Sequence, residues 1–129
     1  MNRLRIRHST GFSYGGEVTA SYNEARMLPA SADGQLVLYS HLEILPISAH
    51  HSYVDYWGTR VSSFEVLTPH RELSLTATSL VSLGDSLLQR RRAFSVRKGM
   101  LRLNKPGVLQ IVAGVEVQAR HLSVVELWL

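Results

Sequence analysis

Residues 3–8 alternate with period two: Leu4, Ile6 and His8 fall on one face, Arg3, Arg5 and Arg7 on the other. That is the pattern of an antiparallel strand with one wet face. Ser9 to Gly16 carries Gly11, Gly15 and Gly16 and reads as a turn-rich connection. Glu17 to Met27 is a second extended stretch, with Val18, Ala20 and Tyr22 on one face, and Leu28-Pro29 stops it. Gln35 to Leu45 is the strongest long strand; Leu36, Leu38, Ser40, Leu42 and Ile44 face one way and Pro46 ends it. Ser52 to Trp57 and Val61 to Val66 flank Gly58-Thr59 and predict a β-hairpin. Gly58 reaches positive φ at no steric cost, and Asp55 is placed to hydrogen-bond the turn backbone. After the corner Thr68-Pro69-His70, Glu72 to Leu83 alternates again through Leu73, Leu75, Ala77, Ser79 and Val81.

Helical periodicity is nearly absent. Six or seven short strands separated by turn signals predict an all-β chain, an antiparallel β-sandwich built from residues 2–83. The domain expectation is a sandwich over residues 1–86 followed by a basic tail over 87–129. In that tail two more strands, around 108–113 and 122–128, can be drawn with Pro106-Gly107 as a turn.

Composition adds three points. The chain has 129 residues, 45% of them hydrophobic and 19% charged, so it suits one globular domain with its own core. Its charge is uneven: residues 1–86 hold six Arg against eight acidic residues, while 87–129 hold eight basic residues against two acidic ones. There are no cysteines, which removes disulfides, thiolate-ligated zinc and a thiol nucleophile together. No apolar run is long enough to span a bilayer, and Met1 to Arg7 lacks the apolar stretch of a signal peptide. A cytoplasmic location and no membrane partner are expected.

The ordered set of motifs resembles the N-terminal region of bacterial transglutaminase-like enzymes and cysteine proteases. It begins with Leu4-Arg5-Ile6-Arg7-His8-Ser9-Thr10 and Tyr14, then Ser21-Tyr22-Asn23-Glu24-Ala25-Arg26-Met27-Leu28-Pro29. Gln35 opens the long strand, Asp55-Tyr56-Trp57-Gly58-Thr59 forms the turn, and Pro69-His70 with Leu73 closes the set. The resemblance covers about two thirds of the chain. It implies an all-β module ahead of a catalytic core with a Cys-His-Asp triad, in which a thiolate attacks an amide or peptide carbonyl. None of that core is recognisable here, and with no cysteine there is no nucleophile to carry over. The expectation is a non-catalytic accessory domain that supports or gates such a core. A free-standing module using the basic tail on nucleic acid or an acidic partner is the alternative.

The residues singled out as a structural motif are His8, Tyr14, Asn23, Arg26, Pro29, Asp55, Gly58 and His70. His8 and His70 are read as hydrogen-bonded structural histidines, Asp55 as the cap of the hairpin, and Asn23 with Arg26 as ties between adjacent strands. His50-His51 are strand neighbours pointing to opposite faces, so they cannot share one ion, and no metal or cofactor site is expected. A triad of Ser62, His70 and Asp55 can be assembled on paper but lacks a nucleophile elbow. The run Arg90-Arg91-Arg92 has Phe94 as its one nearby aromatic, which argues for a solvated segment rather than a nucleic-acid site. The open edge of such a sandwich needs a cover: the catalytic core, the tail, or a second copy as a homo-oligomer.

Overall fold

The computed structural model describes residues 2–31, 34–84, 107–113 and 119–128. These hold eight strands: β1 (Asn2–Val18), β2 (Ala20–Arg26), β3 (Gln35–Leu45), β4 (His50–Val54), β5 (Arg60–Val66), β6 (His70–Leu83), β7 (Gly107–Ala113) and β8 (Ala119–Trp128). They form two four-stranded antiparallel sheets, ordered β3-β6-β1-β8 and β4-β5-β2-β7. The expected all-β sandwich is what the chain adopts. Among the described residues no helix is long and apolar enough to cross a membrane. The triple arginine and its basic neighbours up to Lys105 lie outside the described residues.

The core sits between the sheets. Tyr14, Val18, Leu42, Ile44, Leu73, Leu75 and Ala77 come from the first sheet, and Ala25, Phe64 and Val66 from the second. Met27 and Leu28, just past β2, close the same cluster, and Pro29 is fully buried beside them in sequence. A smaller cluster of Leu4, Ile6, Val81 and Leu83 lines the other end of β1 and β6. Each such side chain, fully buried, is worth roughly 1.5–3 kcal/mol of transfer free energy.

Three local expectations are corrected. The glycine-rich stretch after His8 is not a connection: β1 continues through it to Val18, paired on one flank with β6 and on the other with β8. Pairing on both sides holds an extended backbone that glycine alone would not choose. Gly15-Gly16 instead falls where the β1–β6 register shifts, between Ser13 and Val18, the place glycine takes in a bulge.

The second correction concerns β2. A bend at Thr19 separates Val18 from Ala20, so Val18 belongs to β1 and the face of β2 is inverted. Ser21, Asn23 and Ala25 point inward, and Tyr22 is on the outside.

The third lies in β3. Leu42 and Ile44 are buried as expected, but Leu36 and Leu38 are 55% and 45% exposed. A register irregularity between Val37 and Tyr39 shifts the strand by one residue, and one residue reverses every side chain beyond it.

At two neighbouring corners the chain passes directly from one sheet into the other. Thr19 carries β1 into β2, and Leu67 to Pro69 carries β5 into β6. Because β1 pairs with β6 and β2 with β5, one antiparallel ladder folds across from sheet to sheet. Val18 opposes His70 on one side of the fold and Ser21 opposes Val66 on the other.

Candidate functional site

Two polar assemblies use most of the motif residues. The first is buried at the double corner. His70 Nδ1 lies 2.7 Å from the Thr68 carbonyl oxygen. A carbonyl only accepts, so a proton is on Nδ1, and in the tautomer this fixes Nε2 accepts. Its partner is the Ser21 hydroxyl, at a long 3.4 Å. Ser21 Oγ in turn accepts from Asn23 Nδ2 at 3.2 Å. The direction of the chain is consistent throughout: amide to hydroxyl, hydroxyl to imidazole, imidazole to backbone carbonyl. Tyr14 packs edge-on against His70, ring centroids 5.6 Å apart. Burial pushes the Tyr14 phenol up from 10.0 to about 12. Asn23 Oδ1 is buried with no hydrogen-bond partner among the described residues.

The second assembly is the β4–β5 turn. Asp55 Oδ1 accepts from both Trp57 N and Thr59 N at 2.9 Å. Asp55 N donates to the Thr59 carbonyl and Gly58 N to the Asp55 carbonyl. Gly58 sits at φ 77°, the left-handed region. The turn is therefore fixed from inside, and it carries Tyr56 and Trp57 at 91% and 78% exposure, packed edge to face. Arg60, at the start of β5, donates to Ser40 Oγ at 3.1 Å and ties the base of the turn to β3 in the other sheet.

The roles of Asn23 and Arg26 differ from the expected ones. Among the described residues neither side chain ties adjacent strands: Asn23 bonds Ser21 and Arg26 pairs with Glu24 at 3.2 Å, each within β2. The cross-strand tie is made by Tyr53 of β4, whose hydroxyl donates to Glu24 Oε1 at 2.9 Å and raises the Tyr53 pKa. A two-residue offset on one strand puts both side chains on the same face, which favours the intrastrand pair. His8 is buried in the inward row of β1. His50 and His51 are both exposed on β4, and His51 stacks on Tyr53. Among the described residues no group of three or more His, Asp or Glu side chains is placed to hold a metal ion.

The paper triad does not assemble. Asp55 spends its carboxylate on turn amides and His70 spends its two nitrogens on Thr68 and Ser21. Sequence reading missed Ser21, for which no local signal exists: its partner is 49 positions away.

The motif residues and the strands that carry them coincide with a known family. Residues 4–82, β1 through β6 almost entire, match the bacterial transglutaminase-like N-terminal region. The chain belongs to that family. An uncharacterized protein of Mycobacterium leprae is 44% identical over 81 residues, which cover 63% of this chain and 29% of that protein. An uncharacterized protein of Mycobacterium tuberculosis (strain H37Rv) is 34% identical over 83 residues, 64% of this chain and 26% of its own length. This transglutaminase-like N-terminal region chain thus spans less than a third of the curated relatives it matches. Among solved structures it is similar to "a Putative Cysteine Protease from Cytophaga hutchinsonii", at TM-score 0.49 and 14% identity over 64% of this chain and 28% of that one.

Proposed function

We infer that the chain is a non-catalytic accessory module of a transglutaminase-like protein, one that supports or gates a Cys-His-Asp core. The observation that carries this reading is the fate of the motif residues. Asp55, His70, Asn23 and Arg26 are consumed by internal contacts that stiffen the sandwich, and the turn they leave outward presents Tyr56 and Trp57. Exposed aromatics on a pre-organised turn are the side chains that dominate protein contacts, because little ordering cost is left to meet on binding. The module's work is then to hold a neighbouring domain in place through that tip, while the thiol chemistry belongs to the neighbour.

The test joins residues 4–82 to the part of the Mycobacterium leprae relative outside its matched 81 residues, and compares hydrogen exchange with the free chain. Amides of residues 55–60 are expected to exchange more slowly in the joined protein. Two halves that unfold independently, with turn exchange unchanged, would remove the reading.

A further inference from the structure

The outward face of β1 carries a feature that the accessory role does not use. Arg3, Arg5 and Arg7 stand in line on a central strand, all exposed; β6 pairs beside all three, and β8 beside Arg5 and Arg7. None of the three makes an ion pair or a side-chain hydrogen bond with another described residue. Residues two apart on a strand repeat at about 6.5–7 Å, so three guanidinium groups span roughly 13–14 Å.

The row is short and bounded. Beyond Arg7 the same face continues through Ser9, Gly11 and Ser13, which are neutral. Acidic side chains surround that continuation: Glu126 of β8 opposes Arg7, Glu43 of β3 lies in the row of Ser9, and Glu72 of β6 opposes Ser13. On the other flank, Tyr39 and Leu80 lie in the row of Arg5. A long polyanion laid along β1 would meet carboxylates as soon as it passed Arg7. Tyr39 of β3 and Trp128 of β8 share the register row of Arg5, one on each flank, so it is the carboxylates beyond Arg7 that argue against a long polyanion on this face.

A short partner with the same repeat fits instead. An extended peptide places alternate side chains on one face at the strand repeat, so carboxylates at i, i+2 and i+4 match the three arginines one to one. Arginine forks take carboxylates two bonds at a time, which makes spacing count beyond net charge. We propose that the Arg3-Arg5-Arg7 row is a docking surface for an extended acidic protein segment with carboxylates at alternate positions. Glu126, opposite Arg7, works against this ligand and limits its length.

The experiment titrates the full 129-residue chain with a fluorescein-labelled peptide bearing three glutamates at alternate positions. A second peptide has the same composition with its glutamates contiguous. Measurements are made at low ionic strength, where exposed charges are not screened within a Debye length. The alternating peptide is expected to bind more tightly. Each of Arg3→Gln, Arg5→Gln and Arg7→Gln should weaken it roughly threefold, and the triple variant roughly thirtyfold, in line with exposed ion pairs. Glu126→Gln should tighten it, whereas a variant with glutamine at Arg90, Arg91 and Arg92 should leave the ratio between the two peptides unchanged. Far-ultraviolet circular dichroism should be identical for all variants, since every altered side chain of the row points outward. Equal binding of the two peptides overturns the proposal, as does a triple variant that binds like the parent. Tighter, arginine-row-dependent binding of a single-stranded oligonucleotide would also overturn it, in favour of nucleic acid.

Discussion

Ser21 and His70 meet across the line where one sheet becomes the other: the Ser21 hydroxyl reaches His70 Nε2 at 3.4 Å, both side chains buried. Ser21 is on β2 and His70 opens β6, so the bond spans two neighbouring corners at which the chain changes sheet. A bond this long is weak by itself. Its importance comes from burial, because removing either side chain leaves the other with one polar atom that has lost its partner.

The first prediction follows from that cost. Ser21→Ala should destabilise the chain by about 1–2 kcal/mol, and His70→Ala by about 2–3 kcal/mol because a space opens beside Tyr14 as well. The double variant should fall short of the sum by about 0.5–1.5 kcal/mol. Urea unfolding midpoints at constant slope give all three values. Strict additivity would mean that the two side chains do not interact.

At the hairpin, Asp55→Ala removes the acceptor of two turn amides and should cost about 1–2 kcal/mol, while Asp55→Asn, which keeps Oδ1, should cost less than half of that. Gly58→Ala should cost about 1 kcal/mol, since no atom crowds its Cβ position and the penalty is backbone conformation alone. Gly58→Asn should recover most of that loss, because asparagine tolerates the left-handed region. Thermal unfolding of the four variants checks the order; Ala and Asn equally costly at position 58 would point to a steric cause instead.

Tyr14 predicts a specific alkaline limb. Its folded-state pKa of about 12 lies above the ordinary 10.0, so the folded chain holds this proton more tightly than the unfolded chain. Stability is therefore complete below pH 10 and declines as pH rises from 10 through 12, by about 2–3 kcal/mol in all. Tyr14→Phe should flatten this limb while leaving the neutral-pH slope in urea unchanged. An identical alkaline decline in both proteins would assign the loss to other groups.

Phe64 and Tyr56–Trp57 should behave in opposite ways. Phe64 is buried between the sheets, and Phe64→Ala should cost about 3–5 kcal/mol. Tyr56→Ser and Trp57→Ser should each stay within about 0.5–1 kcal/mol of the parent, as exposed side chains whose contact is mainly with each other. Chemical denaturation separates these outcomes. A large loss at Trp57 would place it in the fold rather than on a contact surface.

Local patterns account for what could be read from residue order. The period-two runs in β6 and at the start of β1 face inward as their apolar members require, because one wet face and one dry face leave one choice of orientation. The Asp55–Gly58 turn was legible for the same reason: a carboxylate and a glycine within four residues carry their own hydrogen bonds and their own φ. The course of β1 through Gly11 was not, since the hydrogen bonds that extend it there come from β6 and β8, far along the chain.

By itself, then, the sequence determined the all-β class, the hairpin turn, the family and the inward rows of β6 and of the start of β1, all of which depend on side-chain period and local backbone freedom. The tertiary structure decided where the chain crosses between sheets, which face of β2 turns inward, where β3 slips by one residue, and that Ser21 finds His70. Each of these depends on hydrogen bonds between distant strands. The period of a strand is the same on either face, so only the pairing partner selects which face is buried.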